Sequence, residues 1–287
     1  MQHTKHSQLQ KIGIDVVSET HRFIRAIRWT RLGIHIATGL LVAGVIFPRV
    51  KNAKRALITQ WWSLKTLRIL NIVLSIHGVR PDTRARDMII AANHISWLDI
   101  YVINAAHPAR FVAKAEIRDW PIIGWLCEKA GTIFIRRTHR HDTARTNTEI
   151  HDVLRSGATI GLFPEGTTTA GDRLLKFHSS LFEPAVVNQA TLAPVALRYR
   201  TSDGDRCMAV AYIDDLSFAE SLQLVVSQKS MIAEITFAPP IPAGSASRRE
   251  LALRAEAAIA AILNVPIPDA HQRFGNTVET TSSDQAR

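Results

Sequence analysis

Two cysteines in 287 residues leave no material for a disulfide-built scaffold. Cys127 and Cys207 also lack any metal-ligand spacing, so no zinc site begins from them. Each sits in an apolar stretch and reads as a reduced core residue of a protein facing the cytoplasm. The Gly-x-Ser-x-Gly elbow is missing, and with it the hydrolases built on that turn. Fully apolar spans are missing too: the run LGIHIATGLLVAGVIF, residues 32–47, holds 16 residues without formal charge. As a helix it covers about 24 Å at 1.5 Å per residue, against roughly 30 Å of hydrocarbon in a bilayer. It suits a marginal crossing or entry into one leaflet, and Pro48 should end it. A secretory signal is not expected, because the run starts too far in and no small-residue cleavage site follows. No internal repeat is present.

Acidic residues are scarce at one end only. The first 80 residues carry 13 Lys/Arg against Asp15 and Glu19, whereas the remainder holds 22 basic and 23 acidic residues. The net charge of +10 therefore belongs to an N-terminal arm. That arm also contains Trp29, Trp61 and Trp62 among aliphatic residues, a mixture that favours an anionic membrane surface over nucleic acid. Residues 56–79 fit a helix lying in the interface, with Lys65 and Arg68 between Trp61, Trp62, Leu64 and Leu67. Cations flank the apolar run on both sides, so the positive-inside rule selects no orientation.

Beyond Pro81 the pattern becomes short apolar runs separated by helical lengths. Strands are expected at 88–92, 110–114, 131–135, 159–163, 192–199, 208–213 and 232–237, with helices near 97–106, 120–129, 142–155, 181–188, 217–228 and 247–263. This alternation predicts an α/β fold, a mostly parallel mixed sheet with flanking helices, preceded by a membrane-associated helical arm. The expected organisation is an arm over 1–80, a catalytic domain over 81–268 and a polar, frayed tail over 269–287.

In such a sheet, functional groups gather beyond the C-terminal ends of the strands. Three strand exits carry candidate residues. The first reads Asn93-His94-Ile95-Ser96-Trp97-Leu98-Asp99. A carboxylate one helical turn after a histidine can hold the imidazole in a single tautomer, as a general base requires. Esterification of a hydroxyl by a thioester needs such a base and no nucleophilic serine. The same residues equally fit a capping box from Ser96 to Asp99. The second exit ends in Arg136 and Arg137, where a guanidinium fork suits phosphate and a solvated edge is the plain alternative. The third, Phe163-Pro164-Glu165-Gly166-Thr167-Thr168, offers close backbone and hydroxyl donors, with Lys176 nearby. Glu165 is costly to bury alone, or it faces a helix N-terminus. His139 and His141 read as a solvated loop rather than a metal pair, and His35 as a packed or interfacial residue. His178 reads as either an acceptor-site residue or a helix cap. No metal is expected.

Together these blocks resemble the lysophospholipid acyltransferase family over residues 88–199. The quoted motifs are His94-x-x-x-x-Asp99, Gly131-x-x-Phe134-x-x-Arg137, Phe163-Pro164-Glu165-Gly166-Thr167 and Ala193-Pro194-Val195, in the family's order. The resemblance implies a transferase with His94 as base and Asp99 as its orienting partner. Arg137, Glu165, Gly166, Thr167, Thr168 and Lys176 would bind the acceptor. It further implies acyl-coenzyme A or acyl carrier protein as donor, 1-acyl-glycerol 3-phosphate as acceptor, no cofactor, and a place at the inner membrane with the catalytic domain on the cytoplasmic face. Two positions depart from the pattern. Arg136 stands where an acidic residue is common, and Thr168 where many phosphatidate-forming members carry Arg. Enzymes that acylate lyso-ornithine lipids also vary there, which keeps that activity as an alternative. A lipid-binding accessory protein without turnover is a third reading, and the intact His94 and Asp99 argue against it.

Overall fold

The computed structural model describes residues 20–82, 87–135 and 140–268, the last segment without the side chains of 140–147. Two long helices come first: α1 over Arg22–Leu41 and α2 over Asn52–Ile69. Between them the helical path continues through a π turn at Val42–Ile46 and a 3-10 turn at Phe47–Arg49, and Val50 is already extended. Pro48 thus lies in the last turn, one residue before the helical path stops. Arg22–Arg49 is the one helical stretch among the described residues that is long and apolar enough to cross a membrane, by length and composition.

The expected interfacial helix over 56–79 is shorter than the sequence suggested. Asn71, with φ of +57°, turns the chain after Leu70, and Ile72–Gly78 forms strand β1. This strand lies at the edge of the sheet, so only part of it is buried and its apolar pattern is weak.

The sheet and its helices follow: β2 Met88–Ala92, α3 Asp99–Ala106, β3 Ala109–Lys114, α4 Ile123–Ala130, β4 Ile133–Ile135, α5 Arg140–Arg155 and β5 Thr159–Leu162. Then come α6 Glu183–Val187, β6 Thr191–Thr201, α7 Phe218–Ser227, β7 Met231–Phe237, β8 Ile241–Pro242 and α8 Arg248–Leu263. Strand order is β1-β7-β6-β2-β5-β3-β4, with β8 beside β6. Neighbouring pairs are parallel except β6 with β7 and β6 with β8. The mostly parallel mixed sheet is therefore as expected.

Strand β2 is buried along its whole length because both sheet faces are covered. Its residues alternate between two cores. Met88, Ile90 and Ala92 join the layer of Leu98, just before α3, Val102 from α3, and Val225 and Val226 from α7. Ile89 and Ala91 join the layer of Leu154 from α5 and Leu251 and Ile259 from α8. Pro194 in the central strand β6 falls between the residues paired with β8 and those paired with β7, where a missing N–H costs little.

The expected strand over 208–213 is a correction. After β6 a tight turn brings Cys207 N–H back to the Tyr199 carbonyl, and the chain continues as a 3-10 turn at Met208–Val210. Ala209, Val210 and Ala211 are apolar because they are buried under the β2 exit, where the Tyr212 N–H donates to the Ile95 carbonyl at 2.9 Å. The tail over 269–287 lies outside the described residues.

Candidate active site

Strand β2 is flanked by β5 and β6, so the chain leaves it where the connections diverge to either side. The end of β2 is held by Asn93, which is buried and imitates a peptide. Its Nδ2 donates to the Leu197 carbonyl at 3.1 Å, and its Oδ1 accepts the Leu197 N–H at 2.7 Å. That fixes the next residue, His94, whose Nδ1 lies 2.7 Å from Asp99 Oδ2. The same oxygen accepts the N–H groups of Ile95 at 2.7 Å and Ser96 at 2.9 Å. Asp99 Oδ1 accepts the Tyr199 hydroxyl at 2.7 Å. The expected capping box from Ser96 to Asp99 is only half present. Asp99 accepts the Ser96 N–H, but the Ser96 hydroxyl accepts the Leu98 N–H at 3.3 Å and α3 starts after Leu98 without a side-chain cap, so the carboxylate serves the loop and the imidazole instead.

Asp99 is fully buried, while 20% of the His94 side chain is exposed. The ring stacks on Phe163 at 4.0 Å between centroids and 12° between planes, and Phe163 stacks in turn on Phe111. With Nδ1 engaged by the carboxylate, Nε2 on the opposite edge of the ring is left for a substrate proton.

Glu165 occupies a different position from the one expected of an acceptor ligand. Its Oε1 accepts the His94 N–H and its Oε2 the Leu175 N–H, each at 2.8 Å, and the residue is buried. Burial pushes its carboxyl up to about 7, against the pull of those two N–H donors. The loop after it is set by Gly166, at φ of +74°, and by the Thr169 N–H donating to the His94 carbonyl at 2.9 Å. Thr168 donates its hydroxyl to the Tyr212 carbonyl. Further along, Glu256 of α8 accepts the Phe177 N–H at 2.8 Å, so two buried carboxylates hold the segment carrying Lys176.

His94, Gly166, Thr167 and Thr168 line one cavity of about 1570 Å³. Its walls run past Trp97 and Lys114 to the inner faces of α1 and α2, where Ile36, Gly39 and Trp62 contribute. Glu165 sits behind this wall, and Lys176 is exposed outside the lining. Arg137 and Arg136 lie outside the described residues, as do His139 and the side chain of His141. No cluster of His, Cys, Asp or Glu fit to hold a metal occurs among the described residues. His35 is packed: it stacks on Trp62 and its Nε2 lies 3.0 Å from Thr66 Oγ1. His178 occupies the position before the 3-10 turn at Ser179–Phe182 without a side-chain cap bond, and its N–H donates to the Pro164 carbonyl at 2.9 Å. Asn93, Lys114 and Tyr199 were missed in the sequence. Only Lys114, a cation at the exit of β3, carried a signal there.

A fixed histidine–carboxylate dyad at the exit of a parallel strand, opening on a large and mostly apolar cavity, is an arrangement suited to an acyltransferase that works on a lipid hydroxyl. The Acyltransferase family model matches residues 74–198. Lyso-ornithine lipid O-acyltransferase of Pseudomonas aeruginosa is 36% identical over 205 residues, which is 71% of this chain and 78% of that one. The 1-acyl-sn-glycerol-3-phosphate acyltransferase of Neisseria gonorrhoeae is 34% identical over 216 residues, covering 75% and 83%. The crystal structure of the 1-acyl-sn-glycerophosphate acyltransferase of Thermotoga maritima shares the fold, with a TM-score of 0.63 at 18% identity over 84% of this chain and 94% of that one. This chain belongs to the lysophospholipid acyltransferase family.

Proposed function

We propose that the enzyme transfers a fatty acyl group from acyl-coenzyme A or acyl carrier protein to the sn-2 hydroxyl of 1-acyl-sn-glycerol 3-phosphate, giving phosphatidic acid. The observation that carries the reading is the His94–Asp99 pair on the wall of the large cavity. Nε2 of His94 takes the proton of the acceptor hydroxyl as its oxygen bonds to the thioester carbonyl carbon. The C–S bond then breaks, and the thiolate leaves with the electron pair and collects a proton. Buried Asp99 stabilises the imidazolium that forms between these steps. Gly166 and Thr167 face the acceptor and Arg137 supplies its phosphate contact, while Glu165 acts through the backbone of His94.

A second acceptor is favoured by one contact. Threonine at 168 carries no charge and its hydroxyl donates to the Tyr212 carbonyl, so the position offers a phosphate neither a cation nor a free proton. A lyso-ornithine lipid has no phosphate, and the similarity to lyso-ornithine lipid acyltransferases supports that acceptor as the alternative. The enzyme works at the cytoplasmic face of the inner membrane, resting on α1. This helix is bound to the domain by Arg28, which donates to the Val226 carbonyl at 2.9 Å and the Lys229 carbonyl at 3.1 Å. It leaves Phe23, Ile34 and Leu41 outward and more than half exposed. A helix attached in this way suits a position along the interface.

Purified protein given lysophosphatidic acid, lyso-ornithine lipid and lysophosphatidylethanolamine, each with both thioester donors, tests the assignment. Fastest turnover on lysophosphatidic acid is expected. Fastest turnover on lyso-ornithine lipid transfers the assignment to the alternative, and thiol release without an acylated lipid contradicts both.

A further inference from the structure

Strand β6 outruns its partner. It pairs with β2 only from Thr191 to Val195 but continues to Thr201, and this overhang passes under the exit where α3 begins. Tyr199 stands on the overhang among the residues of the α3 and α7 core, 3% exposed. Its hydroxyl meets Asp99 Oδ1 at 2.7 Å, the one oxygen of that carboxylate not already occupied by His94, Ile95 and Ser96. From this geometry we propose that Tyr199 is a positioning residue of the dyad: it fixes the rotation of the Asp99 carboxylate and shares its negative charge, so that the imidazole is held in line yet releases its proton readily. The proposal rests on the reading of His94 as base.

The donor is fixed in kind. Burial, and next the charge of Asp99, hold the Tyr199 hydroxyl well above the ordinary phenol range, so it stays protonated wherever the enzyme works. It therefore always donates. Without it, a fully buried carboxylate oxygen would lose its partner, and the unshared charge would hold a proton on His94 more tightly. Charged or titratable groups near the pair come from three other segments. Glu165 reaches the His94 N–H, Arg173 acts on Glu165, and Cys207 acts on Tyr199. None of them replaces the hydroxyl bond.

Tyr199→Phe removes one oxygen and keeps the ring in place. On the lysolipid and donor that give the highest turnover, kcat should fall roughly tenfold while KM for both substrates stays within about twofold. The acid limb of the pH–rate profile should move up by about half a unit to one unit. In an Asp99→Asn background the same substitution should change little, because the amide carries no charge to share. A normal kcat, an unmoved acid limb, or an equal loss in both backgrounds would overturn the proposal. If Tyr199→Phe does not fold, a difluorinated tyrosine at 199 keeps the size and donates more strongly. It should move the acid limb down, and no movement would count equally against the idea. His94→Ala tests the underlying reading separately. Retained turnover there removes the base assignment, whereas lost turnover with a normal Tyr199→Phe enzyme removes only the role of Tyr199.

Discussion

The exit of β2 and the α1–α2 pair both bury polar side chains, but they face outward in opposite ways. At the exit, the buried groups saturate one another. Asp99 accepts four hydrogen bonds and Glu165 accepts two backbone N–H groups, so little is left for water to solvate. In the helical pair, the polar contacts also point inward, from Arg28 to the Val226 carbonyl at the end of α7 and the Lys229 carbonyl just beyond it, and from His35 to Thr66. The outer surface there is apolar, with Phe23 at 70%, Leu57 at 66% and Leu41 at 64% exposure. Water is a poor solvent for such a face, and the cations at Arg22, Arg31, Lys54 and Arg68 suit the headgroups around it. On the proposed function, one region holds a proton acceptor still and the other holds the enzyme against lipid.

That contrast breaks most visibly at the outer face. Replacing Phe23, Ile34 and Leu41 together by Ser should weaken binding to anionic vesicles by roughly three decades, at about 1.5 kcal/mol per apolar side chain withdrawn from lipid. Activity on detergent-dispersed lysolipid and the melting temperature should hardly change. Equal vesicle binding, measured by flotation, would show that the face does not meet the membrane.

A smaller effect sharpens the other half of the comparison. Glu165, held up at about 7 by burial, keeps its proton in the folded state at pH values where the unfolded chain has released it. Such a group stabilises the fold fully below its unfolded pKa. The contribution is lost as pH rises through roughly 4.5 to 7, amounting to about 1–3 kcal/mol. Thermal unfolding across that window should show the decline, and Glu165→Gln should flatten it while lowering stability at acid pH. An unchanged slope in the variant would mean that Glu165 does not carry the pH dependence.

Legibility in the sequence followed the range of the interaction. Strands β2, β5 and β6 stand where continuous apolar runs placed them, because burial on both faces leaves a signal within each strand. His94 and Asp99 were visible because five residues separate them. Tyr199 was invisible, since its bond to Asp99 crosses 100 residues and nothing in the run LRYR marks one ring as polar-bound. Glu165 was visible as a residue but its partners were not: they lie 71 and 10 residues away and are backbone groups, which carry no side-chain pattern. Strand β1 was missed because an edge strand shows only half an alternation, and residues 208–213 were overread because a buried turn can be as apolar as a strand.

Direct attack by the acceptor hydroxyl, with His94 as base and no acyl-enzyme, is the centre of the account. Rapid mixing of the purified enzyme with the thioester donor alone, followed by quantification of released thiol and of intact protein mass, tests it directly. The account predicts no release matching the enzyme concentration and no added acyl mass until a lysolipid is supplied. A stoichiometric burst of thiol with an acylated protein would contradict it.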